Sequence, residues 1–228
     1  MTLSLTGNAL ARAMHVSPRL GLVYVNNPKV ACSTLKLALQ RAELDDPHYE
    51  PPVSVHDHDS SPLLTGKHLA GQDLEPLAGR FVFSFVRNPY ARLRSVYLNK
   101  IVTAQKQGRF RVQAGFAPDE CPMFEDFTLA ICAQEPTTQN AHWRPQALNL
   151  SVDRIRYDLI GRLEQFETDW NQLTARFPLP RQPAFAGKRT EDTEKAKLAF
   201  SPAMIQVIQK AYAPDFDAFG YDLKPPLS

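Results

Sequence analysis

A lysine and two hydroxyl side chains follow an apolar segment near the start of the chain, in an arrangement that could bind an anion. Leu22–Val25 is apolar and predicts a strand, and Asn26-Asn27-Pro28 then predicts a turn. Lys29, Ser33 and Thr34 follow at the start of a predicted helix. Backbone N–H groups at such a turn point toward an anion, the lysine adds positive charge, and the hydroxyls donate hydrogen bonds. This pattern favours a site for a phosphate-like group.

The helix predicted after this turn has one apolar face. Its apolar residues recur at spacings of three and four: Leu35, Ala38, Leu39 and Ala42. Its polar residues lie mostly off that face: Lys36, Gln40 and Arg41. No glycine lies between Gly21 and Gly66, so the glycine-rich loop of nucleoside-triphosphate enzymes is absent. On this segment alone, an ordinary strand-to-helix connection with a solvated lysine explains the pattern equally well.

A second segment combines a strand, a turn and an arginine. Phe81–Val86 predicts a buried strand, Asn88 a helix N-cap and Pro89 the first helical residue. Arg87 therefore leaves the strand at the turn, and Ser95 lies two turns into the helix. A guanidinium can hold a phosphate through two parallel hydrogen bonds, and a hydroxyl can bind a further oxygen. The two segments together predict a pair of anion sites.

These segments resemble motifs of the sulfotransferases that use 3′-phosphoadenosine 5′-phosphosulfate (PAPS), and within them the carbohydrate sulfotransferase group. Residues 28–36 resemble their 5′-phosphosulfate loop, and residues 85–97 resemble their 3′-phosphate motif with its arginines, proline and serine at matching positions. The resemblance extends from about Tyr24 to Tyr221. It implies that the 5′-phosphosulfate is held by the following residues: Lys29, Ala31, Cys32, Ser33 and Thr34. It also implies that Arg87 and Ser95 bind the 3′-phosphate.

The length and the element pattern predict a single α/β domain. At 228 residues with 43% hydrophobic residues, the chain suits one domain over 1–228 with a substantial core. Residues 1–19 are expected to be an N-terminal extension and residues 105–122 a mobile loop. Repeated strand-then-helix units predict a central parallel sheet. The resemblance implies the three-layer α/β/α fold related to P-loop NTPases.

The net charge and the composition of the sequence limit the kinds of partner and ligand that we expect. The net charge of +2 argues against nucleic acid as a partner, and no segment approaches the roughly 18 apolar residues of a membrane span. We therefore expect a cytoplasmic protein, and a bacterial origin is a simpler interpretation than the membrane-anchored Golgi location of animal relatives. The three cysteines lack zinc spacing, and the alternating histidines and aspartates of residues 56–59 rarely converge in a loop, so no metal is expected.

Two histidines are candidates for the catalytic base. The resemblance implies that His68 removes the proton of an acceptor hydroxyl, because family members carry a histidine at the matching place, and an imidazole suits this step near neutral pH. His142 is the second candidate, in a segment that resembles the acceptor side of the family. Its neighbour Trp143 could stack on a sugar or anchor a loop to the core.

The resemblance also implies the reaction. It predicts an enzyme that moves the sulfuryl group of PAPS to a hydroxyl of a carbohydrate or glycolipid, with Lys29 stabilising the leaving phosphate oxygen. Lys188 and Arg189, in a late basic turn, are further candidates for binding PAPS. Two alternatives stay open, a kinase-like phosphotransferase on the same fold and a non-catalytic nucleotide-binding protein.

Overall fold

The computed structural model describes residues 7–66, 68–69, 75–103, 107–181 and 198–226. The chain forms two compact units. Unit 1 comprises Met1–Val86 and Asn149–Gly187, and unit 2 comprises Arg87–Leu148 and Lys188–Ser228. The strands are β1 (Met14–Ser17), β2 (Leu22–Val25), β3 (Phe81–Val86) and β4 (Leu159–Arg162). The α-helices, in chain order, are α1 (Gly7–Ala13), α2 (Cys32–Leu44), α3 (Pro89–Val96), α4 (Gln107–Ala114), α5 (Phe124–Cys132), α6 (Gln146–Asn149), α7 (Phe166–Thr174), α8 (Pro202–Ala211) and α9 (Ala213–Phe219).

Unit 1 contains a four-stranded sheet in the order β1-β2-β3-β4. β2 and β3 pair in parallel with Val23 opposite Val82, and β3 and β4 pair in parallel with Phe85 opposite Gly161. A Cβ at Gly161 would lie 2.5 Å from the Phe85 ring, so only glycine fits beneath this ring. The α/β prediction is confirmed, with a mostly parallel sheet flanked by helices.

The first strand is the antiparallel member of a sheet that was predicted to be parallel at its centre. β1 pairs antiparallel with β2, which it can do because only residues 18–21 connect the two strands. Gly21 has a φ of +64°, a conformation that glycine adopts readily in such a turn. α1 and β1 both lie within residues 1–19, the predicted N-terminal extension, and all four residues of β1 are buried.

The core of unit 1 lies between the sheet and α2. Its buried side chains include Tyr24, Leu35, Leu39, Phe83 and Phe85. The apolar face predicted for α2 is therefore confirmed as a packing face. The polar residues Lys36 and Gln40 are buried as well, by other parts of the chain.

Unit 2 packs around aromatic side chains. Its buried core includes Tyr90, Tyr97, Phe127, Trp143 and Tyr212. A π-helical turn, Tyr97–Val102, follows α3 directly. The predicted mobile loop, residues 105–122, contains the helix α4 and a buried Phe110, so it is partly helical; its mobility stays a prediction. Within the described ranges, no helix has both the length and the apolar character that a membrane crossing requires.

Candidate functional site

The loop after β2 leads directly into the first turn of α2. We call residues 26–34 the anion loop. Lys29 and Ala31 have φ values of 75° and 62°, in the left-handed region that non-glycine residues rarely adopt. Each such residue costs about 1 kcal/mol or more, and conformations of this kind cluster at ligand sites. The loop therefore has the strained backbone that a binding role would explain.

The start of α2 has no side-chain cap. Its N-cap residue is Ala31, which cannot accept the hydrogen bonds that a serine or aspartate would accept from the first turn. The N–H of Leu35 bonds to the Ala31 carbonyl, as expected in a helix. A left-handed residue followed by a helical one turns successive N–H groups toward the same side, a geometry that binds anions. Cys32, Ser33 and Thr34 provide those N–H groups.

Side-chain hydrogen bonds hold the anion loop to the sheet. The Asn27 Nδ2 donates to the Phe85 carbonyl at 3.1 Å, and the Asn149 Nδ2 donates to the Asn27 Oδ1 at 3.4 Å. The Ser84 hydroxyl donates to the Val25 carbonyl at 2.7 Å. Val30 is fully buried in the core of unit 1. The loop is thus attached at its start by Asn27 and in its middle by Val30.

A buried lysine lies one turn into α2. Lys36 is only 2% exposed, and its Nζ lies 3.3 Å from the Nδ1 of His56. Burial lowers the pKa of Lys36 from 10.5 to about 8, with the thiol of Cys32 opposing the change. Burial also lowers the pKa of the neighbouring His15 and His58 imidazoles, and the charge of Lys36 lowers both further. The sequence did not predict that Lys36 lies close to three histidines, although two of them, His56 and His58, stood out in residues 56–59.

Unit 2 begins with Arg87, the first residue after β3. The Gln146 side chain holds its backbone from two directions, with the Oε1 accepting from the Arg87 N–H at 3.0 Å and the Nε2 donating to the Arg87 carbonyl at 2.7 Å. The same Nε2 donates to Asp215 at 3.2 Å, and Asp215 accepts from the Ala147 N–H at 2.8 Å. Burial raises the pKa of Asp215, and the charge of Arg92 opposes this. Gln146 and Asp215 thus fix the backbone that carries the predicted 3′-phosphate arginine.

α3 begins as the sequence predicts. The Asn88 Oδ1 accepts hydrogen bonds from the N–H groups of Tyr90 at 3.0 Å and Ala91 at 3.3 Å, and Pro89 is the first helical residue. Ser95 lies in the last turn of this helix and is 6% exposed. The cap and the proline define where α3 starts, and so they define where Ser95 lies on it.

The segment around Trp143 is held in the core of unit 2. Arg92, which is fully buried, donates to the carbonyls of Arg144 at 2.8 Å and Ala141 at 2.9 Å. The Tyr212 hydroxyl donates to the Trp143 carbonyl at 2.5 Å. Trp143 is 0% exposed, so its ring anchors the segment and does not offer a face to a sugar.

The hydrogen bonds of His142 define which nitrogen of its neutral ring carries the proton. The Asn140 Oδ1 accepts from the backbone N–H of His142 at 2.9 Å and lies 2.7 Å from its Nδ1. Because an amide oxygen can only accept, the Nδ1 carries the proton, and the lone pair of the neutral ring lies on Nε2. The ring packs edge-to-face on Phe110, with centroids 5.3 Å apart. His142 therefore has the tautomer of a base acting through Nε2.

His68 has the opposite arrangement. Its Nδ1 accepts a hydrogen bond from the backbone N–H of Thr65 at 3.2 Å, and its side chain is exposed. With Nδ1 as acceptor, the proton of the neutral ring lies on Nε2. To act as a base through Nε2, His68 would have to give up the Thr65 hydrogen bond.

Two of the predicted PAPS-binding residues, Lys188 and Arg189, lie outside the described residues, so their roles stay predictions. Among the residues that the structure does describe, no group of three or more histidine, cysteine, aspartate or glutamate side chains is arranged to hold a metal ion.

Comparison with known proteins assigns the family. The sequence model of the sulfotransferase family matches residues 12–222, and the chain belongs to that family. Carbohydrate sulfotransferase 14 of Homo sapiens is 29% identical over 237 residues, covering 94% of this chain and 61% of that protein. Carbohydrate sulfotransferase 12 of Mus musculus is 26% identical over 250 residues, covering 90% of this chain and 59% of that protein. The chain thus spans about three fifths of the length of these relatives. No solved structure matches the chain significantly.

The buried Lys36 leads to a stability prediction. Its pKa of about 8 is below the unfolded value of 10.5, so the unfolded chain holds more protons between these values, and stability should rise with pH in that window. At pH 7 the buried charge opposes folding by up to about 3 kcal/mol. We expect Lys36→Met to raise the free energy of unfolding at pH 7 by at least about 1 kcal/mol, with the gain shrinking toward pH 10. Urea unfolding at both pH values measures this.

The matched control for this prediction is Lys224→Met, which removes an exposed lysine. The control should leave the free energy of unfolding within about 0.5 kcal/mol of wild type at both pH values. A Lys36→Met variant that is less stable than wild type at pH 7 would contradict the account of Lys36 as a buried charge.

Proposed function

We propose that this protein is an enzyme that transfers the sulfuryl group of PAPS to a hydroxyl of a carbohydrate or glycolipid. Family membership and relatives named carbohydrate sulfotransferases support the proposal. The observation that carries it is the anion loop, where left-handed residues precede an uncapped helix start beside Lys29. The family match does not favour the kinase-like alternative. We also propose that the chain has the three-layer, P-loop-like fold that the family resemblance implies.

Each predicted PAPS contact has a distinct role in this proposal. Lys29 and the N–H groups of the anion loop bind the 5′-phosphosulfate, and the hydroxyls of Ser33 and Thr34 bind the oxygens of its phosphate. In unit 2, the guanidinium of Arg87 binds the 3′-phosphate and the hydroxyl of Ser95 donates to it. Gln146 and Asp215 support this role by fixing the Arg87 backbone.

The reaction is one displacement at sulfur. The acceptor oxygen forms a bond to sulfur, the bond between sulfur and the 5′-phosphate oxygen breaks, and a base takes the acceptor proton. Little covalent chemistry is left for the protein, so positioning and charge stabilisation dominate, as in phosphoryl transfer. Lys29 stabilises the charge that develops on the departing oxygen, which lowers the barrier more than it strengthens ground-state binding.

Hydrogen bonding separates the two candidate bases. His142 holds its proton on Nδ1 through Asn140, which leaves a lone pair on Nε2. His68, the base implied by the family resemblance, accepts at Nδ1 from Thr65. The hydrogen bonds therefore favour His142, and the assignment of His68 stays a prediction beside it. A cytoplasmic location and a bacterial origin are also proposals, and they rest on the sequence alone. A saccharide acceptor is a proposal that rests on the relatives named carbohydrate sulfotransferases.

Nucleotide binding tests the cofactor assignment. Isothermal titration with 3′-phosphoadenosine 5′-phosphate (PAP), the desulfated product, should show micromolar binding, and AMP should bind at least about tenfold more weakly because it lacks the 3′-phosphate. Arg87→Ala should weaken PAP binding and leave AMP binding unchanged, since only PAP carries the group that Arg87 contacts. Equal binding of PAP and AMP by wild type would contradict the role of Arg87.

Turnover of the two histidine variants tests the base. We expect His142→Ala to lower kcat by about a hundredfold or more, the usual contribution of a general base, with unchanged PAP affinity. Asn140→Leu should lower kcat by a smaller factor, because it removes the group that holds the Nδ1 proton. His68→Ala is the matched comparison. If His68→Ala loses activity and His142→Ala retains it, His68 is the base.

A further inference from the structure

His56 reaches from the segment after α2 back to the first turns of that helix. Its Nε2 lies 2.8 Å from the Ser33 Oγ, and its Nδ1 lies 3.3 Å from the Lys36 Nζ. Ser33 and Lys36 are three residues apart on α2 and so share one face of the helix. One imidazole thus joins a hydroxyl of the anion loop to a buried ammonium.

The charge of Lys36 defines the direction of both hydrogen bonds. An ammonium can only donate, so the Nδ1 of His56 accepts and the neutral ring carries its proton on Nε2. This Nε2–H then donates to the Ser33 oxygen. A hydroxyl that accepts in this way keeps its own proton for another acceptor. Ser33 is thereby prepared to donate to an anion.

Other imidazoles lie close to Lys36. The structure shows no salt bridge to Lys36 in the part of the chain that it describes. His15 is buried beside it with both ring nitrogens lacking a hydrogen-bond partner, and the ring of His58 lies 5.3 Å from that of His15. The nearby Asp57 and Asp59 raise the pKa of His58, and they are not among the groups that change the pKa of Lys36. An anion bound at Ser33 would place a negative charge on the same face of α2 as Lys36.

We propose that His56 is a positioning residue that orients the Ser33 hydroxyl as a donor to the 5′-phosphate of PAPS and connects it to the charge of Lys36. This inference rests on the proposed function, because it takes the anion loop to be the 5′-phosphosulfate site. His56 itself transfers no proton and forms no bond to sulfur in this role. Its effect reaches the ligand through Ser33.

A double-mutant cycle tests the connection. PAP affinity is measured by isothermal titration at pH 7 for wild type, His56→Ala, Ser33→Ala and the double variant. Each single substitution should weaken PAP binding about tenfold, because a hydrogen bond to a charged group is lost. The double variant should be no weaker than Ser33→Ala, because both act through one hydrogen bond. Multiplied effects, about a hundredfold, would overturn the inference.

Two amide substitutions distinguish the partners of His56. His56→Gln can place an N–H near the position of Nε2 and so retain the bond to Ser33, while His56→Asn can place an oxygen near Nδ1 and retain only Lys36. We expect His56→Gln to bind PAP within about threefold of wild type and His56→Asn to match His56→Ala. His48→Ala, at an exposed histidine of the same segment, should bind like wild type.

The outcomes separate this inference from the proposed function. If wild type binds no PAP, both are wrong. If wild type binds PAP and His56→Ala binds it equally well, the role of His56 is wrong and the proposed function stands. Equal affinities of the Gln and Asn variants would also overturn the role, because the hydrogen bond to Ser33 would then be irrelevant.

Discussion

The parallel pairing of β2 with β3 is the constraint on which the anion loop depends. Parallel neighbours end at the same edge of a sheet, so the turn after β2 must begin beside the end of β3. The hydrogen bond from Asn27 to the Phe85 carbonyl fixes this relation within unit 1. α2 then starts where its N–H groups can face a ligand beyond the strand ends, the usual ligand position in α/β sheets.

Binding geometry at this loop comes at a cost in folding stability. Lys29 and Ala31 hold left-handed conformations without glycine, and Lys36 keeps a charged side chain in a buried position. Each feature would be unfavourable in a helix start that served only packing. An anionic ligand that contacts the N–H groups and neutralises Lys36 would offset both costs, which explains why the features occur together.

The sequence predicted the elements whose signals are local. β2, β3, the Asn88 cap and Pro89 at the start of α3 follow from apolar runs and capping chemistry. β1 was missed because Met14–Ser17 alternates apolar and polar residues and lacks the continuous apolar run of β2, and its antiparallel pairing depends on a tight turn. The burial of Lys36 and Gln40 on α2 was not predicted, because periodicity reveals an apolar face but does not show what covers the polar face.

The residues of the candidate site also divide into those with a local sequence signal and those without one. The motifs identified Lys29 and Arg87, because each residue lies in the turn that follows an apolar strand. Gln146, Asp215 and His56 were not identified, since their contacts join residues separated by 20 or more positions that share no periodic pattern. The tautomers of His68 and His142 likewise depend on contacts with the Thr65 backbone N–H and the Asn140 side-chain oxygen, which the sequence does not display.

Sulfuryl transfer itself tests the central claim most directly. The protein is incubated with PAPS labelled in its sulfuryl group and a set of desulfated polysaccharides, and label on the polysaccharide is measured for wild type and Lys29→Ala. The account predicts transfer by wild type and a fall in kcat of at least about a hundredfold in the variant, because one charge-stabilising donor is lost. Near-normal kcat in Lys29→Ala would contradict the assigned role of the anion loop, and PAP binding without transfer to any acceptor would contradict the proposed activity.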